Sequence, residues 1–167
     1  MDLTTELRFL PTISEIRSMK PLFVLLGTFL ISFLIIRWLN GWWDYRLSAR
    51  IAMAVMLLFT AIGHFVFTKG MEMMLPVFVP FKKGMIYLTG VAEVAGAIGL
   101  LLDAWFVNAG LLLVLLFMVM LPANVHAALR HVDYEKATTG GKGPAYLWFR
   151  IPLQFFFIAW IFFLILY

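Results

Sequence analysis

Apolar residues run along this chain in blocks that no charged side chain interrupts: Pro21 to Ile36, Ile51 to Thr68, Ala104 to Leu129 and Ile151 to Tyr167. Several approach the roughly 20 apolar residues a helix needs to cross a bilayer, and they lack the alternation of a membrane β-strand. With the block around Glu93 included, the pattern predicts five spans, at residues 21–39, 48–67, 84–102, 104–128 and 146–167. Asn40-Gly41 breaks the first from the second. Asp103 sits at so tight a turn that the third and fourth must be antiparallel neighbours. The stretch from Gly70 to Lys83 is too apolar for a solvated loop, and Pro76 and Pro80 forbid a continuous helix. It is expected to lie along the membrane surface or to fold partly back into the bundle. TTGGKGP, Thr138 to Pro144, reads as the only flexible stretch. The fold class is therefore all-α, a polytopic membrane helical bundle.

Composition supports this picture. Of 167 residues, 63% are hydrophobic and 13% charged, more apolar surface than a water-soluble domain of this size can bury. The net charge of +4 would suit nucleic acid, but the basic residues are scattered over short loops instead of forming a stripe, so no nucleic-acid partner is expected. Threaded on five spans they divide nine to three: Arg8, Arg17, Lys20, Lys69, Lys82, Lys83, Arg130, Lys136 and Lys142 on one side, Arg37, Arg46 and Arg50 on the other. The positive-inside rule then places the amino terminus in the cytoplasm and the carboxyl terminus outside. Trp38, Trp42, Trp43, Tyr45, Trp105 and Tyr167 fall on the outer side, where amphipathic rings favour the headgroup layer. Residues 1–20 mix Asp2, Glu6 and Glu15 with Arg8, Arg17 and Lys20 and read as an amphipathic surface segment with no signal-peptide cleavage site. Cysteine is absent, which removes thiol chemistry and thiolate-held clusters from this chain.

A polar side chain in hydrocarbon costs several kcal/mol unless partnered, so each one inside a span needs a reason. Glu93 lies nine residues past Gly84, about 13 Å along its helix, and nothing in its own span neutralises it. Thr89, Gly90, Gly96 and Ala97 share its face, a strip of small side chains that lets a helix or a ligand come close. His64, Asn124, Arg150 and Gln154 all lie near the cytoplasmic ends of their spans. His64 and Glu93 are the candidate proton-handling pair, and Asn124, Arg150, Gln154 and Thr89 the candidate ligand contacts. His126 is about 200° around the helix from Asn124, so only one of the two faces the pocket, and Asn124 is preferred. Arg150 is also within reach of Glu93 as an ion-pair partner. Met73 and Met74, in the run MEMM, would cap the slot. No HxxH or ExxH pairing supports a metal, and no Walker lysine motif, dinucleotide fingerprint or GxSxG is present.

AIGHF, followed by an apolar segment containing MMLP, then LTGVAEVAGAIGLLL and LPANVHAAL, resembles the DoxX-like family of small membrane proteins. The resemblance covers about residues 48–167 and implies a four-helix membrane domain, with span 21–39 and its amphipathic leader as additions. His64, Gly90, Glu93, Gly96, Pro122 and Asn124 match the positions where that family places its polar and small residues. The family's redox associations imply a quinone as the lipophilic ligand, a soluble or membrane redox partner, and a bacterial inner membrane as the home. The cysteine pair of some redox-associated relatives has no counterpart here. Two functions follow: a quinone-binding or lipophile-binding subunit, or an accessory protein whose polar cluster is structural or recognises a partner helix. A second copy of the chain also stands among the candidate partners.

Overall fold

The computed structural model describes residues 19–141 and 143–166. All but the last two residues of the expected amphipathic leader lie outside that range, as does Tyr167. The described residues form α1 (Lys20–Asn40), α2 (Tyr45–Val66), α3 (Thr68–Met74), α4 (Lys82–Leu101), α5 (Phe106–Leu129) and α6 (Leu147–Leu166), the last preceded by a single tight turn at Gly143–Tyr146. Five of the helices, all but α3, are long and apolar enough to cross a membrane, as in an integral membrane protein.

Local chemistry sets the boundaries. Pro21 occupies the first turn of α1, where its missing N–H costs nothing. Gly41 ends the helix at φ 81°, a left-handed conformation that glycine adopts without strain, and donates its N–H to the Arg37 carbonyl. The Asp44 carboxylate then caps α2 by accepting from the Leu47 N–H at 2.9 Å. Between α4 and α5 the chain reverses within Leu102–Trp105, as Asp103 foretells. There Arg50 fastens the turn to α2, donating to the Leu100 carbonyl at 2.6 Å and to Asp103 Oδ1 at 2.7 Å.

Each long helix packs on the next in chain order, and α6 returns to α2. That return is made near the end that carries Trp38, Trp42, Trp43, Tyr45 and Trp105, the aromatic end. Here the Trp160 indole donates to the Ala49 carbonyl at 3.2 Å, and its ring meets Phe29 of α1 edge-on at 5.4 Å. Glycines let the helices approach: a Cβ at Gly90 would strike His64 and Phe65 of α2, and one at Gly96 or Gly99 would strike Leu113 or Ala109 of α5. The small-residue face of α4 is thus covered by the chain's own helices, which removes it as the docking strip for a partner helix.

The first of the two loop expectations holds. The stretch after Gly70 does fold back, as α3 and Leu75, while Val77, Phe78 and Phe81 stay 85–90% exposed at its tip. Within Thr138–Pro144, Lys142 lies outside the described residues and several of the others make defined contacts. Thr138 pairs with Asp133 in an isolated bridge, Gly141 donates to the His131 carbonyl, and Gly143 and Pro144 enter the turn before α6.

Candidate functional site

Toward the basic end, where Lys20, Lys82 and Arg130 lie, α2, α4, α5 and α6 stand around a cavity of about 310 Å³, at the lower end of the size that small ligands occupy. Most of its wall is apolar: Met56 and Phe59 from α2, Ile86 from α4, Phe117 and Met120 from α5, Leu153 and Phe157 from α6. Met71 and Met74 of α3, together with Leu75, close the basic end, so Met74 sits where the sequence placed it. Met73 does not line the cavity; on a helix this short only one side meets the bundle, and that side carries Met71 and Met74.

Glu93, 2% exposed, is the most deeply buried acid among the described residues and lines this cavity. Because α2 and α4 run antiparallel, residues four apart on one helix meet residues four apart on the other. Thr60 donates its hydroxyl to Glu93 Oε2 at 2.9 Å, His64 Nε2 stands 3.5 Å from Glu93 Oε1, and Thr89 Oγ1 lies 3.1 Å from His64 Nδ1. When Thr89 donates to the Ile86 carbonyl at 2.8 Å, its oxygen accepts from His64 Nδ1–H in the tautomer that carries that proton. In that tautomer Nε2 is the nitrogen that faces Glu93 Oε1. Thr60 suits both states of the acid. It donates to the carboxylate, or accepts from the protonated acid while turning its proton to the Leu57 carbonyl at 3.0 Å.

The opposite wall carries the other candidates. Asn124 donates to Gln154 Oε1 at 3.4 Å, and Gln154 donates to the Phe117 carbonyl. That carbonyl lies one residue from Met118, whose carbonyl Pro122 deprives of its helical N–H. Arg150, half-buried, lines the cavity and hydrogen-bonds Tyr146, close to Tyr134. No ion pair joins it to Glu93 among the described residues; Thr60 and His64 hold the carboxyl against α2 instead. His126 turns away from the cavity and donates Nδ1–H to the Met74 carbonyl at 2.8 Å, satisfying an orphan acceptor at the end of α3. Thus the expected site residues other than Met73 share one cavity. Among the described residues no three His, Asp or Glu side chains gather as a metal site requires.

Four polar cavity residues, Thr60, Tyr134, Glu135 and Lys20, were missed. Thr60 lies four residues before His64, a spacing that put it on the same face. Tyr134 and Glu135 come from the loop after α5 and carry no periodic signal. The loop reaches the cavity because Gly70 of α3 packs directly against the Tyr134 backbone, where a Cβ would collide. Phe67 packs edge-on against the Tyr134 ring at 6.0 Å. Lys20 of α1 then pairs with Glu135 at 3.4 Å across the cavity mouth. Burial, helped by Tyr146 and opposed by Arg150, pushes the Tyr134 hydroxyl up to about 12, so it stays a neutral donor at physiological pH.

A family model described as a domain of unknown function (DUF8561) matches residues 53–165, which take in every cavity residue except Lys20 and Pro21. No curated protein and no solved structure matches the chain.

Proposed function

From the premise that this chain belongs to the DUF8561 family, we propose that it binds a small lipophilic molecule, a quinone, in the cavity between α2, α4, α5 and α6. The observation that carries the reading is the pairing of an apolar cavity of about 310 Å³ with a buried acid and imidazole on its wall. A quinone needs an apolar slot, hydrogen-bond donors at its oxygens and a route for protons. Met56, Phe117, Leu153 and Phe157 supply the slot, Arg150 and Tyr134 the donors, and Glu93 with His64 the proton route. Phe59, Ile62, Met85 and Val119 line the cavity while remaining exposed on the outer surface, so a lipophile reaches it sideways from the bilayer.

The resemblance to DoxX-like proteins supports the quinone specifically, and with no cysteine in the chain the electrons are to come from a partner or a bound molecule. By the charge bias of the loops the basic end faces the cytoplasm, and the resemblance makes a bacterial inner membrane the home. Gentle extraction is expected to keep quinone bound in stoichiometric amount, and Glu93→Gln to lower that amount while the protein still accumulates in the membrane. Recovery of bulk phospholipid alone would overturn the reading.

One observation favours a structural role for the same cluster: the Thr60, His64 and Thr89 contacts of Glu93 also clamp α2 to α4. Loss of the Glu93→Gln protein from the membrane would decide for that accessory role.

A further inference from the structure

Two cations, Lys20 and Arg150, and two acids, Glu93 and Glu135, line the cavity, but they are paired unevenly. Lys20 is matched by Glu135 at 3.4 Å, and Glu93 faces His64 at 3.5 Å. Arg150 has no carboxylate within ion-pair distance among the described residues; it hydrogen-bonds the Tyr146 side chain. A guanidinium keeps its charge at any physiological pH, and in a membrane span such a charge is stabilised by a counter-ion or by water. Leu153, Phe157 and Met120 of the same cavity offer neither, and the Glu93 charge acts on it only from beyond ion-pair distance. The Tyr134 hydroxyl, held protonated by burial, supplies a second donor on the same side.

We propose that the cavity takes a lipophilic acid as its anion, with the acid head held by Arg150 and Tyr134 and the tail lying against Met56, Phe117 and Phe157. This rests on the reading of the cavity as a lipophile site and, within it, favours an anionic head over the neutral quinone. Carboxylate and acidic-phenol heads share the required chemistry: an anionic oxygen at the end of an apolar body. A neutral quinone meets the same donors without matching the charge.

The test compares dodecanoate, dodecanol, dodecylamine and a decyl-substituted benzoquinone on the purified full chain, at a pH where the acid is ionised, with retained ligand read by native mass spectrometry. Dodecanoate is expected to be retained at about tenfold lower concentration than dodecanol, the gain typical of a charge-assisted bond, and dodecylamine least of all. Arg150→Gln should erase the difference between acid and alcohol, and Arg150→Lys should keep it in part. If Arg150→Gln does not accumulate, Tyr134→Phe carries the same test, with dodecanoate weakened about threefold and dodecanol unchanged. Equal retention of benzoquinone, dodecanol and dodecanoate by the unmodified protein would overturn the charge inference and leave the lipophile site standing. Retention of none would remove both.

Discussion

Alanine at Gly90 tests whether the contact between α2 and α4 sets the geometry of the acid–imidazole pair. A Cβ there would stand 2.9 Å from the His64 Cβ and 3.2 Å from two ring carbons of Phe65, where unbonded carbons settle at about 3.5–4.0 Å. The His64 Cβ is fixed to its backbone and cannot rotate aside, so the helices must part by about 0.5–1 Å. His64 Nε2 and Glu93 Oε1 already stand 3.5 Å apart, and the same displacement carries them to the edge of ion-pair range. Overpacking of this kind costs about 1–3 kcal/mol, or about 2–12 °C in melting temperature for a chain of this length. Gly84→Ala is the matched control. It lies in the first turn of the same helix with nothing within 4 Å of an added Cβ, and it should be neutral or gain up to about 1 kcal/mol from helix propensity. Thermal unfolding of both variants in one detergent, followed by size-exclusion chromatography, gives the comparison. Equal melting of the two would refute the view that this close approach holds the pair in place.

Thr60→Val keeps the shape of the side chain but removes the hydroxyl that meets Glu93 Oε2, and should cost about 1–3 kcal/mol in a denaturant titration; Thr60→Ser should recover most of it, and an unchanged midpoint for the valine variant would show that the bond contributes nothing. The Tyr134 hydroxyl has an ordinary value of 10.0 and is pushed up to about 12 in the folded chain, which therefore holds this proton more tightly than the unfolded one does. Its contribution to stability is fully present below pH 10 and is lost as pH rises through about 12. Tyr134→Phe should flatten that alkaline fall, and an identical fall in both proteins would argue against it. Lys20→Ala removes a half-exposed ion pair and should change stability by less than about 1 kcal/mol; a shift of several times that in chemical denaturation would mean that the bridge does more than brace the cavity mouth.

Much of the architecture was legible in the chain because hydrocarbon imposes a simple rule. Each span must satisfy its own backbone, so length and apolarity alone mark α1, α2, α4, α5 and α6, and their ends fall within three residues of the predicted ones. The same cost of burying polar atoms made Glu93, His64, Asn124, Arg150 and Gln154 stand out as a set. The loops were less legible. Nothing in TTGGKGP or the residues before it announces that Asp133 pairs with Thr138, or that Gly70 seats the Tyr134 backbone, since those contacts join segments with no shared periodicity.

Helix count, span limits and the identity of the buried polar residues thus belong to the chain itself, because a lipid environment penalises every alternative residue by residue. Which polar groups meet was decided only when the helices packed. The antiparallel register of α2 against α4, set by the close contact at Gly90, hands Glu93 to Thr60 and His64. Arg150 is left on the far wall, facing the cavity. A helical wheel gives direction around one axis, whereas partner choice depends on the rotation and depth of two axes at once, and those are fixed by side chains distant in sequence.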